Sequence, residues 1–150
     1  MMTATPEQLT QFLHHHIPAS RLLAIDATEA TAHTVTLRAP FALNQNHHHT
    51  IFGGSGALLA TLCAWSLVHL NFPTAQGNIV IQQSTIYYDK PAPSDLLATC
   101  VRHDEIPWQK CQTMLTRFNK GRIQVGCTLM SDGQAVGRWQ GQFVITINSP

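Results

Sequence analysis

Three segments of the chain carry apolar residues in patterns that predict helices. Two of these segments are amphipathic. Residues 6–16 follow Thr5, which can cap a helix, and residues 107–119 precede Lys120 and Gly121, which are typical of a helix end. The third, residues 54–70, is apolar on all sides, which is typical of a helix in the centre of a fold.

Six further segments show the alternation, or the β-branched and aromatic residues, that predict strands. The alternation is clearest before Pro40, where Val35 and Leu37 fall on one face and Thr34 and Thr36 on the other. The predicted strands are residues 22–29, 32–39, 79–88, 96–103, 122–130 and 134–147. The last two form a hairpin about the turn at residues 131–133.

The order of these elements predicts an α+β fold formed by one domain over residues 1–150, with an antiparallel sheet wrapped around the central helix. The apolar run at residues 51–70 is about as long as a membrane span. It contains three glycines and no lysine or arginine flanks it, so we expect it to be the interior of a fold and not a transmembrane helix.

The chain carries few charges. Charged residues make up 11% of it, against about 25% in ordinary domains, and none occurs from Ala39 to Tyr88. A net charge of +1 argues against nucleic-acid binding. We therefore expect a small, weakly polar ligand or a protein partner, and a second subunit covering part of the surface.

The four cysteines are isolated in the sequence and have apolar or strand-like neighbours. Since none forms a C-x-x-C pair, we expect reduced thiols in the core and no metal site. The N-terminus lacks the basic and apolar regions of a signal peptide, which with reduced thiols favours a cytoplasmic location. The four residues are Cys63, Cys100, Cys111 and Cys127.

A polar loop leads into the central helix. It runs from Asn44 through three consecutive histidines to Gly53, Gly54 and Ser55. The first N–H groups of a helix have no partner inside it, so this entrance can bind a carbonyl oxygen or an anion. Any catalysis there would use almost no charged side chains.

These residues resemble a known family. The run from Asn46 to Ser55, followed by Leu59-Ala-Thr-Leu-Cys-Ala-Trp65, is similar to the hotdog-fold thioesterases, and most similar to the YiiD C-terminal-type domain. Residues 79–95, with a strand and a Pro-Ala-Pro-Ser-Asp turn, fit the same pattern. The resemblance covers about residues 5–147. It implies a hotdog fold, an acyl-thioester ligand on coenzyme A or acyl carrier protein, no further cofactor, and a homodimer or dimer of dimers.

The resemblance also implies roles for three positions. The backbone N–H groups of Gly53 and Gly54 would polarise the thioester carbonyl, and Asn46 would orient the attacking water or the carbonyl. The alternatives are a close helix–sheet approach at the glycines and an Asx turn at Asn46. Thr61 stands where phenylacetyl-CoA-type relatives have an aspartate, so the usual general base is missing. Its hydroxyl either holds a water or bonds back to its own helix.

Other polar residues are weaker candidates for a base or a substrate contact. Imidazole side chains are common general bases, but adjacent histidines cannot all face one pocket. Asp89 is either an alternative base or part of a turn, and Cys63 lacks an activating partner. The candidates in the loop and in the strand at residues 79–88 are His47, His49, Ser55, Ser84 and Thr85.

The sequence therefore predicts an acyl-thioester hydrolase, with a non-catalytic hotdog protein that binds an acyl group or a carrier protein as the alternative. Carboxylates usually serve as the base in this chemistry, and Thr61 replaces one here, so the sequence leaves the two functions open.

Overall fold

The computed structural model describes residues 2–147 and contains five α-helices and six strands in that range. The helices are α1 Pro6–His16, α2 Pro18–Leu22, α3 Phe41–Asn44, α4 Gly53–Asn71 and α5 Trp108–Phe118. The strands are β1 Asp26–Ala30, β2 Thr34–Ala39, β3 Ile79–Tyr88, β4 Leu96–Val101, β5 Lys120–Ser131 and β6 Gln134–Thr146.

The six strands form one antiparallel sheet in the order β1-β2-β4-β5-β6-β3. It wraps around α4, whose inward residues Leu59, Cys63 and Leu67 are fully buried. This confirms the predicted α+β architecture with one long central helix. Helix α4 is long and apolar enough to cross a membrane, but 67% of its most apolar 18-residue stretch is buried inside the fold.

Local signals at the predicted ends of the elements agree with the structure. Thr5 and Gln8 form a capping box at α1, with the Thr5 Oγ1 accepting from the Gln8 amide at 3.1 Å. The β5–β6 hairpin turns through Asp132 and Gly133, which have φ angles of 51° and 71°. Such a pair of left-handed residues matches the twist of the two strands.

The prediction of a strand at residues 22–29 is wrong in its first half. Pro18 opens helix α2 at the first helical position, and the strand begins only at Asp26. Leu22 ends that helix with its side chain 72% exposed, so its apolar character does not mark a strand position. The short helix α3 was not predicted either.

Strand β3 lies at one edge of the sheet and pairs only with β6 among residues 2–147. Its apolar residues are unusually open: Val80 is 63% exposed and Ile81 is 40% exposed. A stripe on α4 that includes Ala57, Leu58 and Thr61 is also only half-buried. A long apolar edge strand normally needs a partner, because its unpaired N–H and C=O groups invite one.

The expectation of four reduced thiols is wrong for two of them. Cys100 and Cys127 lie on the neighbouring strands β4 and β5, one step beyond the Thr99–Thr128 pair, and form a disulfide. Cys63 and Cys111 are reduced and buried. Burial raises the pKa of the Cys63 thiol to about 12 and that of Cys111 to about 11, so both are protonated near neutral pH.

Alkylation of the purified protein is expected to separate these two classes of cysteine. The native chain should react slowly with iodoacetamide, because the thiolates are scarce and buried. After denaturation without reductant, peptide mass spectrometry should find label on Cys63 and Cys111 alone. Label on Cys100 and Cys127 before reduction would contradict the disulfide.

Candidate active site

The polar loop before α4 is folded tightly on itself. Its Asn46 amide donates to the Thr50 carbonyl at 2.8 Å, and the Asn46 Oδ1 accepts from the His48 amide at 2.9 Å. Asn44 is buried and its side chain donates to the carbonyls of Leu23 and Pro40. Asn46 therefore forms an Asx-type turn, which is one of the two roles that the sequence analysis gave to this residue.

The side chain of Asn46 also contacts a hydroxyl that reaches the candidate site. Its Nδ2 donates to the Thr50 Oγ1 at 3.1 Å. Thr50 lines the cavity described below, whereas Asn46 does not. Asn46 therefore lies behind Thr50 and outside the cavity lining, and its side chain can orient the Thr50 hydroxyl.

Helix α4 begins at Gly53 without a side-chain cap. Phe52 occupies the N-cap position with an extended backbone; its carbonyl accepts from the Gly56 amide at 3.1 Å, but its side chain has no oxygen to accept from the N–H groups before Gly56. The N–H groups at the start of the helix consequently remain available to a ligand, and the helix dipole favours negative charge there. Ser55 lies in this first turn and is buried.

An aromatic ring lies beside each of the two glycines. A Cβ on Gly54 would lie 2.4 Å from the Phe52 ring, and one on Gly53 would lie 3.3 Å from the Tyr88 ring. The Tyr88 hydroxyl donates to the Gly53 carbonyl at 2.7 Å, which ties the end of β3 to the start of α4. Burial raises the pKa of Tyr88, which keeps this hydroxyl protonated as a donor.

A cavity of about 360 Å³ opens beside this helix start. Its walls combine the loop, the first turn of α4, the end of β3 and apolar residues of β4, β5 and β6. Such a mainly apolar cavity with a few polar groups suits a small, weakly polar ligand. The lining residues include Thr50, Phe52, Gly53, Tyr88, Leu96 and Leu129.

One carboxylate lies at the rim of the cavity. Asp89 follows β3 directly and accepts two hydrogen bonds from the Arg138 guanidinium, at 3.0 and 3.2 Å. These bonds from Arg138 hold the pKa of Asp89 below its usual value. Asp89 is therefore ionised at neutral pH, and its pairing weakens it as a proton acceptor.

The other predicted candidates lie away from this cavity. His47, His48 and His49 are exposed on the loop, with the His49 ring 3.3 Å from the Gln45 amide oxygen. None of the three lines the cavity. Ser84 and Thr85 line a small polar cleft on β3 that includes glutamines of β5 and β6.

Thr61 is separated from the glycines of its own chain. It stands eight residues beyond Gly53, which corresponds to about 12 Å along the helix. Its hydroxyl donates to the Ala57 carbonyl at 2.8 Å, the back-bonded arrangement offered by the sequence. Within one chain, Thr61 therefore cannot contact a carbonyl held at Gly53.

Sequence reasoning missed Tyr88 and Thr50 as site residues. Both lie beside residues that it did consider, since Thr50 follows the histidines and Tyr88 precedes Asp89. Tyr88 had no local signal for a site role, because its contact with Gly53 joins residues 35 positions apart.

The chain is similar to known proteins over nearly its whole length. A family described as "Putative thioesterase (yiiD_Cterm)" matches residues 6–147. Among solved structures, a protein of unknown function from Chlorobaculum tepidum TLS is 26% identical, with a TM-score of 0.86 and coverage of 96% of this chain and 98% of that one. A putative thioesterase from Shewanella oneidensis is 28% identical, with a TM-score of 0.82 and coverage of 94% and 96%.

A third structure, of a Pseudomonas aeruginosa protein described as a probable thioesterase, is 18% identical with a TM-score of 0.81 and coverage of 98% and 99%. At that identity the likeness shows the fold alone. The family match and the sheet wrapped around α4 agree with the resemblance seen in the sequence. The chain therefore belongs to the YiiD C-terminal thioesterase family and has the hotdog fold.

Proposed function

We propose that this protein hydrolyses acyl thioesters at the start of helix α4. The observation that carries the proposal is the uncapped start of α4, where Gly53 lines a mainly apolar cavity and Gly54 follows it in the chain. Membership of a thioesterase family and the likeness to the Shewanella oneidensis structure support the same class of reaction.

In the proposed reaction, the thioester carbonyl oxygen accepts hydrogen bonds from the Gly53 and Gly54 N–H groups. Water attacks the carbonyl carbon, and the negative charge that develops on the oxygen is stabilised by these donors and the helix dipole. The C–S bond then breaks, the thiolate leaves and takes up a proton, and the carboxylic acid forms with the hydroxyl of the water. The acyl group occupies the cavity beside Leu96 and Leu129.

The attacking water is held by hydroxyl groups in this proposal. Thr50 lines the cavity and is oriented by Asn46, so both residues act from the loop. Thr61 is about 12 Å from Gly53 along its own helix, and it therefore reaches the reacting carbonyl only from a second subunit. Asp89 is the carboxylate among the lining residues, and although its bonds to Arg138 weaken it as a base, it can pass the proton of the water to the leaving thiolate through further water.

A homodimer is part of the proposal for this reason. The open apolar edge of β3 and the half-buried stripe on α4 are the surfaces that a second copy would cover. Antiparallel pairing of the two β3 strands would continue the sheet across the subunits and bring the second α4 towards the first site.

A panel of acyl-CoA and acyl-carrier-protein thioesters with a thiol-release assay tests the proposed reaction. We expect turnover by the wild type and a loss of about tenfold or more in Asn46→Ala, because the loop loses its bonds to the His48 amide and to the Thr50 hydroxyl. His48→Ala is the matched control, since its exposed ring lies on the same loop, and its turnover should not change. Absence of turnover across the panel would disprove the proposal.

The alternative is a hotdog protein that binds an acyl thioester without cleaving it. It is favoured by Thr61 in place of an acid and by the engagement of Asp89 with Arg138. Calorimetry with an acyl-CoA, run beside the thiol-release assay, separates the two. Binding without thiol release selects the alternative, whereas turnover that is lost in Thr61→Val excludes it.

A further inference from the structure

A second groove, of about 450 Å³, lies between helix α5 and the first half of β5, away from the site at α4. We propose that it binds the nucleotide phosphates of a coenzyme A thioester whose acyl end occupies the α4 site of the other subunit. This inference rests on the proposed function and dimer, and it selects coenzyme A over acyl carrier protein as the carrier. The residues that line the groove include Lys110, Cys111, Met114, Phe118, Lys120 and Arg122.

Positive charge is concentrated at this groove. The segment from Ile106 to Ser131 holds four of the nine lysines and arginines of the chain and no aspartate or glutamate. Lys110, Lys120 and Arg122 are exposed. They form no salt bridge, since those found among residues 2–147 are made by Arg38 and Arg138. Three cations without a salt bridge around one groove attract a multiply charged anion, and phosphate groups are among the ligands that lysine and arginine bind.

The groove also has an apolar side. The Phe118 ring is 61% exposed at the end of α5, and Met114, one turn earlier, is 41% exposed. An exposed aromatic ring next to cations offers a stacking surface for a base beside contacts for its phosphates. This combination fits a nucleotide better than it fits inorganic phosphate.

The fold allows α5 to approach β5 closely enough to form this groove. Strand β4 pairs with β5 only at residues 128–131, so the edge of the first half of β5 is left for α5. Gly121 lies against the helix, where a Cβ would meet the Cys111 sulfur at 2.8 Å. The groove is therefore a concave feature between two rigid elements, which suits a small ligand better than the broad surface of a folded carrier protein.

Within one subunit the groove is far from the active site. The registers place Gly121 level with Ile145 and Ile79, and Leu129 level with Gly137 and Tyr88. Eight residues of strand separate Gly121 from Leu129, which is about 26 Å. A ligand in the cavity of one subunit would have to run the length of the sheet to reach the groove of the same subunit.

The partner's groove is much nearer in the proposed dimer. Antiparallel pairing of the two β3 strands puts the Tyr88 end of one strand beside the Ile79 end of the other. Strand β5 of the second subunit then lies at the same end of the joined sheet, three strand spacings from Tyr88, or about 15 Å, with the groove on its far side. Its position matches the distal end of a ligand whose thioester lies at Gly53.

Turnover of two thioesters that differ only in the carrier tests this inference. The triple variant Lys110→Gln/Lys120→Gln/Arg122→Gln should lower kcat/KM for an acyl-CoA about 10- to 100-fold, mainly through KM, because three charge contacts to phosphate are lost. The same acyl group on N-acetylcysteamine, which has no nucleotide, should be hydrolysed at the wild-type rate. Added salt should weaken acyl-CoA turnover in the wild type more than in the variant.

Single variants control for the loss of charge itself. Arg122→Gln should raise KM for acyl-CoA, whereas Arg21→Gln, on the exposed face of α2, should leave it unchanged. If wild type and triple variant hydrolyse both thioesters equally well, the groove proposal is wrong and the proposed function stands. Loss of turnover confined to an acyl-carrier-protein thioester would also overturn it.

The two proposals can fail separately. If the wild type hydrolyses no thioester, the proposed function fails, and the groove is judged by calorimetry with coenzyme A alone. A lower affinity in the triple variant would support the groove, and equal affinities would overturn it.

Discussion

Replacing Gly53 with proline is expected to lower kcat for an acyl thioester about 10²- to 10³-fold, the usual cost of removing one donor to a developing oxyanion. Proline lacks the N–H group proposed to hold the carbonyl oxygen. The helix should tolerate it, because Gly53 is the first helical residue and Phe52 before it is extended, with a ψ angle of 133°. Steady-state kinetics with thiol release would measure the loss, and circular dichroism would show that the helical content is kept.

Gly53→Ala is the matched control for this variant. Alanine adds the same Cβ against the Tyr88 ring, where the nearest atoms would be 3.3 Å away, but it keeps the N–H group. We expect the alanine variant to retain most of the wild-type kcat. Equal turnover by the two variants would show that the Gly53 N–H does not hold the reacting oxygen.

The central helix could be predicted because its signals are local. An apolar run that shows no polar face has to be buried, and Phe72 and Pro73 stop it close to where the structure ends α4 at Asn71. The strand Ile79–Tyr88 was predicted with its observed limits for a similar reason, since a turn precedes it and Pro91 follows it soon after.

Features that depend on strand register could not be predicted. The disulfide between Cys100 and Cys127 requires β4 and β5 to be neighbours with Thr99 opposite Thr128, and no spacing in the sequence shows this. The helix at residues 18–22 was missed for another reason. Its five residues are too short to show a helical period, and the apolar residues after it suggested a strand.

The candidate site likewise has a part that local sequence signals located and a part that depends on how the strands are arranged. The loop and the glycines are contiguous, so the sequence located them together. The opposite wall comes from the end of β3, where Tyr88 and Asp89 reach the site through sheet topology, and from Leu129 on β5. The proposed role of Thr61 could not be predicted from one chain either, because it depends on a second subunit. The exposed apolar residues are the observation that indicates such a subunit.

Introducing a lysine at Ile81 is expected to dissociate the proposed dimer and to abolish most of the turnover. Ile81 lies opposite the buried Phe143 on the edge strand β3, so its side chain is on the helix-facing side of the sheet, where it is 40% exposed. In the dimer this position would be covered, and a buried ammonium group without a partner should weaken association about 100-fold or more. In the free subunit the lysine can reach water, so the fold should be kept.

Analytical ultracentrifugation and thiol release should therefore change together in Ile81→Lys, while the far-ultraviolet circular dichroism stays that of the wild type. Leu22→Lys is the matched control, because this leucine is 72% exposed on α2, away from β3, and its replacement should alter neither property. A monomeric Ile81→Lys variant with full activity would show that each chain holds a complete site, and Thr61 would then have no part in the reaction. A variant that remains dimeric would place the subunit contact elsewhere than β3.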